Sequence, residues 1–177
     1  MRVGSRQRGV SLIEVLMAVL IFSIGLIGLA GLLVMAARSN QAAYLRTQVT
    51  FLAGSMADRM RANPVAVWNG AYNDINYPVT TAKSCDAAAA CTPAEVAARD
   101  KFAWSSLLSA AVPGPKATIQ CTGRDAVGFA LTNDHINMRP PYGGNCVMRI
   151  QWQERKAGDK GANSESAQQT FAWEFQP

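Results

Sequence analysis

The sequence predicts an α+β fold: a long N-terminal α-helix packed on a small antiparallel β-sheet, stapled by disulfides. Three observations lead there. Residues 15–37 form an apolar run without a single charge, and an apolar stripe at helical spacing continues beyond it. Three segments near the C-terminus alternate apolar and polar residues with a period of two. Four cysteines in a small domain form an even set, which reads as bridges.

The chain opens on a basic tip with Arg2, Arg6 and Arg8, and Arg38 closes the apolar run on its far side. A spanning helix needs about 20 apolar residues, so residues 15–37 suffice. The leading arginines favour a cytoplasmic N-terminus, which places the remainder across the membrane. A cleaved secretory signal is a rival, with small residues at Val34-Met35-Ala36. Its apolar core would be about 7–15 residues, shorter than this run. A plain single-span anchor is the second rival. Glu14 sits at the mouth of the run, where a lone charge in hydrocarbon costs about 2.5–3.5 kcal/mol and calls for a partner. Ser11-Leu12-Ile13-Glu14 also fits a capping box, which would give Glu14 a purely local role.

Past Arg38, the residues Leu45, Val49, Leu52, Met56 and Met60 line one helical face. Arg38, Gln41, Arg46, Gln48 and Arg61 supply the polar faces. Pro64 disfavours helical geometry at Asn63, so the helix is expected over residues 10–62, with residues 15–37 in the membrane. At 1.5 Å per residue such a helix is roughly 78 Å long. Two helices broken near Ser39-Asn40 are the alternative.

Residues 63–82 are rich in Asn, Gly, Tyr and Pro and read as a loop, with a turn at Asn69-Gly70. Trp68, Tyr72 and Tyr77 are expected to pin that loop to the core rather than to stack on a ligand. Thr92-Pro93-Ala94-Glu95 combines a cap, a first-turn proline and a box glutamate, and opens a helix of about 18 residues. Val96, Trp104, Leu107 and Leu108 form its apolar side, and Pro113-Gly114-Pro115 ends it.

Residues 116–122 place Ala117, Ile119 and Cys121 on one side of a strand. Cys146, Met148, Ile150 and Trp152 do the same in a second, and Phe171, Trp173 and Phe175 in a third. A further short strand is expected within residues 125–137. Residues 155–169, polar and glycine-containing, read as a mobile hairpin loop. The resulting plan is a basic tip over residues 1–9, the helix over 10–62, and a single α+β domain over 63–177.

Cys85, Cys91, Cys121 and Cys146 allow three pairings. The short spacing favours Cys85–Cys91, which leaves Cys121–Cys146. A zinc site is disfavoured, because the spacings differ from C-x2-C and His135 is the only histidine. No metal or cofactor is expected. His135 has Asp134 beside it, but neighbours in sequence point apart, and no nucleophile elbow, phosphate loop or H-E-x-x-H is present. An enzyme is therefore not expected. The net charge of +5 includes the three leader arginines, so it gives little reason to expect nucleic-acid binding.

Arg8-Gly9-Val10-Ser11-Leu12-Ile13-Glu14, followed by a long apolar helix, resembles the class III signal of type IV pilins and pseudopilins. The resemblance implies that residues 1–9 are a leader peptide, and that a prepilin peptidase cuts between Gly9 and Val10 and methylates the new amino terminus at Val10. It implies that Glu14 assists assembly by pairing with the terminal amine of a neighbouring subunit. Val10 departs from the phenylalanine common at that position, and the proline that major pilins often carry near Gly31 is missing. Gly25, Gly28 and Gly31 would let helices approach closely.

The stem end Asp58-Arg59-Met60-Arg61-Ala62-Asn63-Pro64, then Trp68-Asn69-Gly70 and Tyr72, is similar to minor pilins, as are the two cysteine pairs. That likeness implies priming of type IV pilus assembly, with support of twitching motility and surface attachment. The implied partners are other minor pilins, the major pilin, the prepilin peptidase, the inner-membrane assembly platform and membrane lipid. The implied location is the inner membrane of a Gram-negative bacterium, with the C-terminal domain in the periplasm, and then the pilus. A minor pseudopilin of type II secretion is the first alternative. A pilus-borne adhesin or DNA-uptake module, using Lys156 and Lys160, is the second.

Overall fold

The computed structural model describes residues 9–81, 85, 90–122, 130–137, 139–154 and 167–177. Helix α1 spans Leu12–Ala62 and runs unbroken through Ser39-Asn40 and through Gly25, Gly28 and Gly31. It starts two residues later than the sequence suggested. Its first half carries no buried residue. Its second half buries Leu45, Val49, Leu52, Met56 and Met60, together with Ala53 and Ala57. The expected stripe is thus the face that meets the domain, and the two alanines between its larger members let the other elements approach closely.

The helix stops at Ala62 with Asn63 as C-cap, as Pro64 requires. The chain then makes a short helix, α2 (Pro64–Trp68), in a segment read as loop. Proline at a first helical position explains it, since its missing N–H is an orphan there anyway. The turn at Asn69-Gly70 forms, with Gly70 at φ 66°, a conformation that favours glycine. Strand β1 (Asp74–Tyr77) follows, which sequence patterning missed. Four residues with an irregular pairing register are too short to show a period of two.

Helix α3 (Pro93–Ala111) opens with the full capping box, Thr92 and Glu95 bonding reciprocally. Ala97, Trp104, Ser105 and Leu108 are its buried residues. Leu107 instead faces outward, 48% exposed, and Val96 is only half-buried. The inward stripe passes through Ala97 and Ser105, small residues that an apolarity count overlooks.

Strands β2 (Lys116–Cys121), β3 (Cys146–Glu154) and β4 (Ala167–Phe175) complete a four-stranded antiparallel sheet in the order β1-β2-β3-β4. Every inward residue expected in β2 and β3 is buried. In β4 the same face holds Phe171, Trp173 and Phe175, of which only Phe175 is buried, because β4 lies at the sheet edge. β4 begins at Ala167, inside the segment read as loop; residues 155–166, with Lys156 and Lys160, lie outside the described residues. The strand expected within residues 125–137 is not present in its described part. Helix α4 (Asn133–Asn137) stands there, its Thr132 N–H donating to His135 Nδ1 at 3.1 Å in the manner of a cap.

Both disulfides form as the spacing favoured, Cys85–Cys91 and Cys121–Cys146. Cys121 and Cys146 are register partners on adjacent strands, so their side chains meet on the inner face. All four thiols are consumed, and no thiolate remains for a metal.

Candidate functional site

The N-terminal half of α1 and its attachment to the domain form the candidate site. Gly9 and Val10 are exposed ahead of the helix, with no neighbouring atom where a Gly9 Cβ would stand. Ser11 takes the N-cap position in extended geometry, but its side chain makes no capping bond. The anticipated box is not formed; only backbone bonds close the turn, Glu14 N–H and Val15 N–H both donating to Ser11 O. The Glu14 side chain is exposed in the first turn and has no hydrogen-bond or ion-pair partner among the described residues. An acidic residue in the first turn faces the partial positive charge of the helix end.

Behind Glu14, residues 15–37 are exposed on every side. This is the one stretch among the described residues that is long and apolar enough to cross a membrane. Apolar side chains bared all round a helix are stable only in lipid or against other helices. Ser23 bonds back to Val19 O at 2.7 Å, so its hydroxyl is satisfied within the helix. A Cβ at Gly25, Gly28 or Gly31 would meet no atom outside the helix. Among the described residues, these three glycines make room for no other element, and their smallness faces outward.

The domain grips the other half of α1 through polar contacts as well as packing. Trp104 Nε1 donates to Leu52 O at 2.8 Å, tying α3 to the C-terminal half of the helix. Near its end, Arg59 pairs with Asp100 at 2.8 Å, and Tyr72 donates to the other oxygen of that carboxylate at 2.8 Å. Asn63 Nδ2 donates to Pro93 O at 2.8 Å. The stem end, the turn and α3 are thereby locked together. Burial, reinforced by Asp100, pushes the Tyr72 hydroxyl above the ordinary phenol range. Tyr77 is raised chiefly by burial, then by Asp74, and its hydroxyl donates to Tyr72 O at 2.9 Å.

A second pair joins β1 to α3, Lys101 Nζ to Asp74 at 2.8 Å. Partial burial acts to raise the Asp74 carboxyl, but Lys101 and the Asn76 and Ile75 N–H groups outweigh it and hold it below its usual range. Lys101 also lies 5.6 Å from the Tyr77 ring centre. Sequence reading missed Asp100, Asp74 and Lys101, because their partners lie elsewhere in the chain and no local spacing announces them. Trp68, Tyr72 and Tyr77 are all buried, as expected of residues pinning a loop. His135 is half-buried with its ring 5.3 Å from Trp68. Among the described residues no cluster of metal-ligating side chains occurs.

Residues 4–30 match the prokaryotic N-terminal methylation motif. The match covers the end of the basic tip, Gly9, Val10 and Glu14, and most of the apolar run, and it supports a type IV pilin-like protein. No curated protein and no solved structure matches the chain significantly.

Proposed function

We propose that this chain is a filament subunit of the type IV pilin class, and within it a minor pilin of the PilV kind that primes pilus assembly. The observation that carries the reading is the methylation motif running into a helix whose first half is bare and whose second half is built into an α+β domain. A monomer gains nothing from displaying residues 15–37; a subunit that waits in lipid and then packs among other helices does.

The steps follow from the residues. A prepilin peptidase cuts after Gly9, where the backbone is exposed and unencumbered. The new amine at Val10 is methylated. Glu14, four residues on and unpartnered, takes up the terminal amine of a neighbouring subunit, and in low dielectric the two charges settle one subunit against the next. Other minor pilins, the major pilin and the inner-membrane platform are its partners, and the domain sits on the periplasmic side. Twitching motility and surface attachment depend on the filament that results.

Intact mass of the membrane-extracted protein, with and without reductant, is the test. The expected mass starts at Val10 and carries one added methyl group. An uncut chain, or one trimmed near Ala36, would sink the reading. Deletion then separates the subclasses: lost motility supports the minor pilin, whereas lost secretion with intact motility points to a minor pseudopilin.

A further inference from the structure

The strands run along the stem. At one end of the sheet, Gln153 and Glu154 of β3 line a cleft with Arg38, Gln41 and Leu45, close to the apolar half of α1. At the other end, Gln176 Nε2 donates to Tyr142 O at 2.9 Å, and the Tyr142 ring packs edge-on against Trp68, just past the end of the stem. β3 therefore runs towards the apolar half, and β4, antiparallel to it, runs away.

The two edges of the sheet are built differently. β1 is four residues long with a register shift, and Asp74 Oδ1 takes up the Asn76 N–H at 3.0 Å. Its edge is blunted, as the edge strands of natural sheets commonly are. β4 has none of these devices. It is nine residues long, pairs with β3 without a break, contains no proline, and carries one charge, Glu174, near its end.

Hydrogen bonding along β3 shows which groups of β4 are left over. Thr122 N–H donates to Asn145 O at 2.9 Å and Gln153 N–H to Pro113 O at 3.1 Å, so the odd-numbered residues along this strand turn towards β2. The even-numbered ones turn towards β4, where their partners are Ala167, Gln169, Phe171, Trp173 and Phe175. The N–H and C=O groups of Gln168, Thr170, Ala172 and Glu174 consequently point off the sheet, and no described residue bonds to them. On the inner face of the same edge, the Phe171 and Trp173 rings are only half-buried. A row of unpaired backbone groups beside an apolar shelf is a template for one more strand.

A second copy of this chain does not fit. Copies anchored in one membrane point their stems the same way, so their β4 strands are co-directed. Antiparallel pairing of β4 with β4 would turn one stem over. Parallel pairing about a two-fold axis along the stems sets N–H against N–H. β1 of a second copy runs in the right direction, but its edge is the blunted one.

We propose that the β4 edge docks an extended strand of a different chain, running towards the membrane. That strand is uncharged or basic where it faces Glu174, and its apolar side chains lie beside Phe171 and Trp173. The direction rests on the membrane-spanning reading of residues 15–37; the open edge does not.

The probe is a labelled peptide of about eight residues, alternating valine and threonine with one lysine placed opposite Glu174. Fluorescence anisotropy follows its titration with the detergent-solubilised full chain, and saturable binding is expected. Methylating the peptide nitrogens along the edge that meets β4 removes hydrogen bonds and keeps the side chains. It is expected to weaken binding about tenfold or more. Ala172→Pro deletes one outward N–H and no bond to β3, and is expected to weaken binding about tenfold with both disulfides intact. No saturable binding, equal binding of the methylated peptide, or equal binding by a folded Ala172→Pro chain would overturn the proposal. The methylated peptide meets the unaltered chain, so that arm decides even where Ala172→Pro does not fold. Self-association of the unaltered chain in sedimentation, abolished by Ala172→Pro, would also overturn it and give the edge to a second copy. Alkaline carbonate extraction of native membranes tests the span separately. A chain that washes off refutes the span and the direction, while the peptide result decides the edge.

Discussion

Replacing Gly144 with alanine probes how tightly the end of the sheet is closed. A Cβ at Gly144 would stand 1.8 Å from Thr122 O and 2.9 Å from Thr122 C. These are backbone atoms, so no side-chain rotation relieves the overlap. Retreat is blocked as well. Thr122 N–H donates to Asn145 O at 2.9 Å, and one residue further in each strand Cys121 is bridged to Cys146. Thr122 O is also the acceptor for the Tyr142 hydroxyl, and Tyr142 is fully buried. Overpacking of this kind costs about 1–3 kcal/mol, and stranding a buried hydroxyl costs about 1–3 kcal/mol more. The two overlap in origin, so about 3 kcal/mol is expected. For a folded unit of this size that lowers the melting temperature by roughly 10–15 °C.

Circular dichroism melts of the detergent-solubilised chain measure it. Gly54→Ala is the control of opposite sign. Gly54 lies inside α1 with open space where its Cβ would stand, so alanine should stabilise by about 1 kcal/mol through helix propensity. Equal melting temperatures for Gly144→Ala and the parent chain, or a loss of similar size at Gly54, would refute the reasoning.

Three further outcomes are expected. Replacing Cys121 and Cys146 by serine should cost about 3–4 kcal/mol from the 25-residue separation, against about 2 kcal/mol for the 6-residue pair Cys85–Cys91, read as denaturation midpoints; the reverse order would contradict the chain-entropy account. Trp104→Phe should destabilise by about 2 kcal/mol, from the lost bond to Leu52 O and the smaller ring, without altering membrane association in flotation. The Asp74–Lys101 pair acts through a depressed carboxyl, so its stabilisation is present above the ordinary carboxylate range and is lost as pH falls through the lower folded value. Lys101→Met should therefore lie below the parent in stability near neutral pH and converge with it in strong acid; a gap that widens on acidification would show the sign to be wrong.

Whatever depends on neighbours along the chain was legible before any fold. Helix α1 was legible because its stripe of Leu45, Val49, Leu52, Met56 and Met60 repeats at helical spacing, and Pro64 dictates its end. The Thr92 box and the alternation in β2, β3 and β4 are likewise local, and the methylation motif and the apolar run are legible without any fold. Tertiary structure decided what depends on distant partners. β1 exists because Asp74 and Tyr77 find register partners in β2, and four residues carry too little pattern to say so. Leu107 faces out and Ser105 in because Ser105 Oγ accepts the Val79 N–H at 2.9 Å, a bond between segments 26 residues apart. Asp100 becomes the clamp on the stem only when α3 folds back antiparallel along α1 and meets Arg59, 41 residues away. The Ser11–Glu14 pair shows the converse: the spacing of a capping box was present, yet the side chains did not bond and Glu14 was left outward. Local spacing states which bonds are within reach; packing and solvent decide which are made.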